Sequence, residues 1–332
     1  MRTRHTFTAC TVGILVSCAA LGALPIKLGS LVPAGSPWDL ALKRIAAEWG
    51  RLSSGSVNVK IYAGGVAGDE PDMLRKVRIG QLNAAMITMS GLQTIYNGVK
   101  TLSYPLFLSD DAELTFLLAK MGPFFEEELG KRGFKVILWS PGGWLYFFTR
   151  APVLTPDDLR RQKLWVWGNP DEMQAWQSSG FQVVPLAATD IMTSLQGGMI
   201  DGMITSPLLA ASNQWFGIAA NMADLRLAPL WGALIVSEKT WAEIPEGLRA
   251  GLVDSARKIT ASLGPDLARA DTEAISVMRK YGLKVNEVSP QARAEWASVV
   301  RRGFDMLIGT AFDRQAYEMA AGFLADFRSG RR

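Results

Sequence analysis

Hydrophobic residues recur at two different spacings along this chain, and the two spacings alternate. Between residues 37 and 53, Leu42, Ile45 and Trp49 fall on one helical face, behind a serine–proline N-cap. The segment 57–62 then alternates apolar and polar residues, as a half-buried strand does. The pattern predicts a helix followed by a strand at this end of the chain.

The same alternation continues to the middle of the chain and is then repeated. Further helices are predicted at 70–79, 111–132, 172–179 and 190–197, and strands at 26–30, 83–87, 135–139, 164–167, 182–184, 200–204 and 233–236. Helices that alternate with short apolar strands form crossover units around a largely parallel sheet. Two such sets predict an α/β fold of two lobes with a cleft between them.

The remainder of the chain is predicted to be mostly helical. One long periodic stretch covers 245–281, and Pro265 is expected to break it, because proline has no N–H and clashes with the preceding turn. Further helices are predicted within 289–327. We assign residues 25–142 and about 233–260 to a first lobe, and residues 143–232 and 261–332 to a second.

Residues 1–24 have the composition of an export signal. Positively charged residues precede an uncharged apolar run from Phe7 to Leu24. Within it, Leu15-Val16-Ser17-Cys18 resembles a lipobox, which implies cleavage before Cys18 and a lipid on its thiol. Ordinary cleavage after Ala20-Leu21-Gly22 and an uncleaved membrane anchor are the alternatives. The mature protein is expected in the periplasm, either free or tethered to the membrane through Cys18.

The composition excludes several classes of function. The charges nearly balance, 35 Lys and Arg against 31 Asp and Glu, and no block of one sign points to nucleic acid. His5 is the only histidine, and Cys10 and Cys18 are the only cysteines. Because all three precede the mature domain, that domain has no His-containing triad, Cys–His pair or disulfide. We therefore expect a protein that is not an enzyme and that holds no metal or cofactor.

Four segments resemble motifs of one known family. They are Gly68-Asp69-Glu70 with Met73-Leu74 and Val77-Arg78-x-Gly80, then Tyr104-Pro105-Leu106-Phe107, then Thr155-Pro156-Asp157-Asp158-Leu159 with Lys163-Leu164-x-Val166, and Leu195-Gln196-x-Gly198-x-Ile200-Asp201-Gly202. In order and spacing the chain resembles the solute receptors of tripartite ATP-independent periplasmic (TRAP) transporters over nearly all of 26–330.

The resemblance implies a fold, a mode of action and a partner. The fold is that of two-lobed periplasmic binding proteins, with mixed sheets, segments that cross between the lobes and a long helix. The lobes close over one ligand, because the ligand contacts the closed state better than the open one. The closed receptor then delivers its ligand to a pair of TRAP-type membrane permease subunits.

The ligand site departs from the pattern of relatives that bind carboxylates. In them, an arginine at the position of Trp165 forms a bidentate pair with the carboxylate, and a proline stands at the position of Trp167. Tryptophan has one N–H donor and a large apolar face, so it cannot neutralise a carboxylate. We therefore predict that Trp165 stacks on an apolar or aromatic ligand. The alternative is that both tryptophans fill the core of a lobe.

Other positions complete the predicted site. Trp144 stands where many relatives have a second arginine, Ala188 replaces a common aromatic residue, and Trp231 is a further candidate for the wall of a dry pocket. Glu70, Thr88, Asn169 and Thr205 match contact regions and could bind a hydroxyl, amide or ammonium group. Glu70 equally fits a carboxylate that stabilises the positive end of a helix. Candidate ligands are a lipid fragment, a small cation, or a branched or aromatic acid held by some other group.

Two further hypotheses remain open. An exported interaction or sensor module that has lost transport would use the aromatic cluster to bind a protein partner, since aromatic residues are enriched at interfaces. That hypothesis predicts an exposed aromatic patch, whereas a receptor predicts aromatic residues shielded inside a cleft. An enzyme would need a reactive constellation, and the spacing of Lys163, Glu172, Asp190 and Asp201 forms none.

Overall fold

The computed structural model describes residues 23–166 and 170–330, without the side chain of Glu172. The predicted export signal with Cys18 lies almost entirely outside the described residues. The candidate site residues Trp167 and Asn169 lie outside them as well. No helix in the described ranges combines the length and the apolar character that a membrane span requires.

The described chain alternates strands and helices through its first two thirds and is mainly helical afterwards. The strands are β1 Leu24–Ser30, β2 Val57–Tyr62, β3 Ala84–Thr88, β4 Phe134–Thr149, β5 Lys163–Val166, β6 Gln182–Pro185, β7 Gly202–Thr205, β8 Asn221–Asp224, β9 Ala228–Ser237 and β10 Lys284–Glu287. The helices are α1 Pro37–Leu52, α2 Glu70–Arg78, α3 Met89–Ile95, α4 Asp111–Gly130, α5 Pro156–Arg160, α6 Pro170–Ser178, α7 Ile191–Gln196, α8 Pro207–Ser212, α9 Glu238–Glu243, α10 Glu246–Thr260, α11 Leu263–Lys280, α12 Pro290–Asp305 and α13 Arg314–Arg328.

Two mixed sheets meet in one long strand. The first sheet has the order β2-β1-β3-β9-β4, with β1, β2 and β3 parallel and β9 antiparallel to both of its neighbours. In the second sheet β4 lies between β7 and β8, which lead outward to β5-β6 and to β10. The α/β architecture with mixed sheets and crossing segments, predicted from the sequence, is confirmed.

Strand β4 changes sheets at a glycine pair. It pairs with β9 as far as Leu145 and with β7 from Tyr146 onward, and its register slips between Pro141 and Trp144. Within that slip Gly143 has φ +94°, which favours glycine, and a Cβ on Gly142 would lie 2.8 Å from the Leu230 side chain. The strand can therefore bend where it passes from one lobe to the other.

Helix α11 is the second connection between the lobes. Its first half, with Leu263 and Leu267, packs in a core that includes α1, and its second half, with Ala274 and Met278, packs against α7 and α8. The predicted break at Pro265 lies a few residues earlier, at the junction between α10 and α11. Proline is tolerated there because the first turn of a helix has no partner for that N–H.

Helix α13 packs against the first lobe rather than the second. Its residues Ala316, Ala320 and Leu324 belong to the core that contains α2, α3 and α4. Helix α12, in contrast, contributes Trp296 and Phe304 to the core of the second lobe. The lobe boundaries given above stay a prediction, because they concern which segments move together when the cleft opens.

We predict that Trp296→Ala destabilises the fold by about 3–5 kcal/mol. The Trp296 side chain is fully buried, stacks on Phe147 and Phe181 at 5.1 and 5.8 Å, and donates its N–H to the Leu154 carbonyl at 2.9 Å. Urea unfolding measures the loss. Tyr281→Ala, at a side chain that is 77% exposed, is the control and should change stability by less than about 0.5 kcal/mol. Equal losses in both variants would contradict the packing described here.

Candidate ligand-binding site

A cavity of about 480 Å³ lies between the two lobes. Both sheets contribute to its wall, together with the bend in β4 and the start of α11. The wall is predominantly apolar, as is usual for sites that bind small molecules. Six of the nine residues proposed from the sequence line it, namely Glu70, Thr88, Trp165, Ala188, Thr205 and Trp231.

Glu70 and Thr88 form one polar part of the first-lobe wall. Glu70 begins α2 and is 1% exposed, and its two carboxylate oxygens accept hydrogen bonds from the Thr88 N–H at 2.7 Å and the Thr88 hydroxyl at 2.9 Å. Burial raises the pKa of the Glu70 carboxyl from 4.5 to about 7, against the opposing effect of these hydrogen bonds. A Cβ on Gly91 would lie 2.8 Å from a Glu70 oxygen, so this carboxyl requires a glycine beside it.

Trp165 presents an apolar surface from the second lobe. It lies in β5, is 5% exposed, and donates its indole N–H to the Leu186 carbonyl at 3.0 Å. Because a protein carbonyl already accepts that N–H, the ring offers the cavity its apolar face. Thr205, at the end of β7, and Ala188 lie in the same lobe wall. Contact of Trp165 with a ligand stays a prediction, and its position in the wall is the geometry that such contact requires.

Trp231 lies at the boundary between the cavity and the first-lobe core. It is 1% exposed and donates its N–H to the Ser103 hydroxyl at 2.7 Å. Its ring also stacks on Phe125 and contacts Trp139, at centroid distances of 6.3 and 5.8 Å. Trp231 therefore lines the cavity, as predicted from the sequence, while most of its ring is packed in the first-lobe core.

Trp144 lies away from the cavity, in contrast to its predicted place in the pocket wall. It donates its N–H to Asp111 at 2.9 Å, and the Arg226 guanidinium lies 5.4 Å from the ring centroid. The side chain is 4% exposed and belongs to the first-lobe core. Side chains alternate between the faces of a strand, and the register slip in β4 changes which face a residue after Gly143 occupies.

One charged residue of the wall was not proposed from the sequence. Lys100 belongs to a 3-10 helix, Asn97–Ser103, and its side chain is 7% exposed. Its ammonium lies 3.3 Å from an Asp171 carboxylate oxygen and 5.8 Å from the Phe312 ring centroid. Among the described residues that line the cavity, the charged side chains are Glu70 and Lys100. The only sequence signal was a lone lysine in the apolar run Gly98–Leu102.

Polar contacts join the two lobes across the cleft. The Asp69 carboxylate caps α2 by accepting the Glu70 N–H at 2.8 Å, and its other oxygen accepts the Ala188 N–H at 3.1 Å. The Lys100–Asp171 pair links the first lobe to α6 of the second. These contacts connect the two lobes beside the cavity.

The tryptophans among the described residues do not form an exposed patch. Those that the structure describes are buried, except Trp139, which is half-buried. An exposed aromatic patch was the feature expected of a protein-binding module, so the described residues give that hypothesis no support. Nor do they contain a group of three or more His, Cys, Asp or Glu residues placed to hold a metal ion.

We predict that Glu70 makes stability fall as the pH rises. The folded-state pKa of about 7 lies above the ordinary 4.5, so the folded protein binds this proton more tightly than the unfolded chain does. Stability should therefore decrease between about pH 4.5 and 7, by roughly 3 kcal/mol at most from this group. Melting temperatures of the wild type and Glu70→Gln measured across that range test the idea.

In the Glu70→Gln variant the new amide lies beside the two Thr88 donors, the N–H and the hydroxyl, and we expect it to lower stability at every pH. The quantity to compare is therefore the slope of stability against pH, and not stability itself. The buried carboxyl of Asp69 and the half-buried carboxyl of Asp271 also have raised pKa values and contribute in the same direction in both proteins. The difference in slope therefore isolates Glu70. Parallel curves for the two proteins would show that Glu70 titrates normally.

Comparison with known proteins identifies the family. The family model described as bacterial extracellular solute-binding protein, family 7, matches residues 28–307. A solute-binding protein of Chromohalobacter salexigens is 27% identical over 265 residues, which cover 78% of each chain.

Solved structures show the same fold. A TRAP periplasmic solute-binding protein from Desulfovibrio salexigens, with bound orotic acid, superposes with a TM-score of 0.86 at 19% identity and covers 92% of this chain and 99% of its own. One from Chromohalobacter salexigens, with bound D-glucuronate, gives a TM-score of 0.84 at 22% identity over 90% of this chain and 99% of its own.

These matches agree with the geometry described above, in which two lobes enclose a cavity between them. A receptor of this kind binds its solute without changing it and acts together with a membrane permease. The chain belongs to family 7 of the bacterial extracellular solute-binding proteins, which are receptors and not enzymes, and it has the fold of the TRAP periplasmic solute-binding proteins.

Proposed function

We propose that this receptor captures a small ligand with an apolar or aromatic body, closes its lobes over it and delivers it to a TRAP-type permease. The observation that carries the proposal is the position of Trp165. It stands where the resemblance implies a carboxylate-binding arginine, and its N–H is bonded to the Leu186 carbonyl. The wall at that point therefore offers a flat apolar surface in place of a guanidinium.

The rest of the cavity supports the same ligand class. Its volume of about 480 Å³ lies in the range of sites for small molecules. Trp38, Trp165 and Trp231 all line it, and each donates its indole N–H to another protein group, respectively Pro141, Leu186 and Ser103. Three rings whose polar atoms are already bonded favour stacking and apolar contact over hydrogen bonding with a hydroxyl-rich sugar.

The two structural relatives described above contain organic acids, whereas the ligand proposed for this chain has an apolar or aromatic body. One contains the planar heterocycle orotic acid and another the sugar acid D-glucuronate. The proposed ligand is nearer to the former in shape. The lipid anchor on Cys18 stays a prediction, which the mass of the mature N-terminus from a bacterial host would test.

The first experiment is native mass spectrometry of the purified mature protein, followed by solvent extraction of the bound molecule. We expect a stoichiometric apolar or aromatic compound, because a ligand that is largely enclosed between the two lobes is retained during purification. A hydroxyl-rich sugar acid in the extract would contradict the proposal. A protein that is empty and binds no small molecule would favour the interaction module instead.

We predict that Trp165→Ala weakens binding of the extracted ligand by about ten-fold to a hundred-fold, the range expected from losing one buried aromatic contact. Isothermal titration calorimetry measures the affinity. Trp165→Phe should restore most of it, because a smaller ring keeps a flat apolar face. Trp241→Phe, at a buried tryptophan on α9 outside the cavity wall, is the matched control. Unchanged affinity in Trp165→Ala would place Trp165 in the scaffold alone.

A further inference from the structure

The cavity holds a buried positive charge at a different place from the family's arginine. Lys100 comes from the first-lobe 3-10 helix, whereas Trp165 lies in the second lobe on β5. The Lys100 side chain is 7% exposed and lines the cavity. Since little water reaches this ammonium, an anion placed beside it would interact with a charge that is only weakly screened.

The pairing of Lys100 with Asp171 is compatible with a second anion. The Asp171 carboxylate lies 3.3 Å from the Lys100 ammonium and is 44% exposed, whereas the Lys100 side chain is 7% exposed and lines the cavity. An ammonium group has three N–H donors, so it can serve more than one acceptor. A ligand in the cavity can therefore share this ammonium with Asp171.

Ser103 supplies a hydroxyl beside this charge. Lys100 and Ser103 are three residues apart in the 3-10 helix, a spacing that places both on the same side of the helix, and both line the cavity. The Ser103 oxygen accepts the Trp231 N–H at 2.7 Å. A hydroxyl that accepts in this way still has its own hydrogen to donate. One side of the helix thus presents an ammonium and a hydroxyl donor.

Aromatic rings surround this polar pair. Phe312 lies 5.8 Å from the Lys100 ammonium, and Phe304 and Trp176 line the same cavity, with their ring centroids 5.3 Å apart. Trp231, which holds Ser103, adds a fourth ring. If the anionic group of a ligand binds here, the rest of that ligand would therefore lie in an apolar environment.

We infer that Lys100 and Ser103 form an anion subsite that binds the single carboxylate of a ligand with an apolar or aromatic body. The inference rests on the proposed function and narrows it, because it selects a monocarboxylate among the apolar candidates. The ammonium pairs with the carboxylate, the Ser103 hydroxyl donates to it, and the body of the ligand lies between the tryptophan faces. Lys100 acts as a point charge, so it fixes the acid group without the planar geometry that an arginine imposes.

The test compares acids with their neutral amides. The probes are phenylacetate with phenylacetamide, 4-methylpentanoate with 4-methylpentanamide, and D-glucuronate, titrated calorimetrically into refolded, ligand-free mature protein. We expect each apolar acid to bind the wild type at least about ten-fold more tightly than its amide, the difference expected for a hydrogen-bonded charged group.

Three variants assign that discrimination to Lys100. Lys100→Met should bind acid and amide equally, while Lys100→Arg should keep most of the preference for acids. Lys258→Met is the matched control, because that lysine is 75% exposed on α10 and paired with Asp254. Its acid-to-amide ratio should equal that of the wild type. Melting temperatures show whether each variant is folded. The ratio of acid affinity to amide affinity does not change if a variant loses affinity for both probes equally.

The possible outcomes separate the inference from the proposed function. Equal binding of acids and amides by the wild type, or a preference for acids that survives in Lys100→Met, would overturn the inference and leave an apolar-ligand receptor in place. Binding of D-glucuronate but of neither apolar acid nor amide would overturn the proposed function and the inference together. Failure of every probe to bind counts against both.

Discussion

The ligand cavity depends on the antiparallel pairing of β4 with β9. This pairing runs from Phe134 opposite Ser237 to Leu145 opposite Ala228, and β4 then continues into the second sheet. Both strands contribute to the cavity wall near their bend. Because one strand belongs to two sheets, the lobes cannot move independently of the backbone that lines the site. The glycine pair Gly142-Gly143 provides the local freedom that such a strand needs.

Hydrogen bonding within the protein determines what the cavity offers a ligand. The indole N–H groups of Trp38, Trp165 and Trp231 are bonded to other protein groups, which leaves apolar ring faces as the available surface. The two charged groups of the described wall are held differently. Glu70 is bonded to Thr88 of its own lobe, whereas Lys100 pairs with Asp171 across the cleft. Glu70 is thus bonded within the first lobe, whereas Lys100 forms a contact between the two lobes.

The family motifs and the cavity wall overlap only in part, since Glu70, Pro105 and Val166 belong to both. The motifs that resemble TRAP receptors lie at helix starts, turns and strand ends, where they fix the scaffold. One example is Asp69, which caps α2 and also accepts an N–H from Ala188 of the other lobe. The same fold occurs in relatives with bound orotic acid or D-glucuronate and in this chain, which has Trp165 at the position where the resemblance implies an arginine.

The sequence by itself determined the alternation of elements, the two α/β sets and the helix caps. These depend on local periodicity and composition, which any segment carries with it. Sequence reasoning found only the first part of β4, because the glycine pair interrupts its pattern. It also placed the break before α11 too late, because proline is tolerated in a first turn.

Only the tertiary structure decided which aromatic and charged residues line the cavity. Trp144 and Trp165 are both buried tryptophans in strands, yet Trp144 bonds to Asp111 away from the cavity wall, whereas Trp165 lies in a core cluster and also lines the cavity. Lys100 lies in a 3-10 helix without amphipathic periodicity, so the surrounding sequence did not predict that its side chain lines a cavity. Periodicity specifies which side of an element is buried, but whether that side meets a core or a cleft depends on segments far away in the chain.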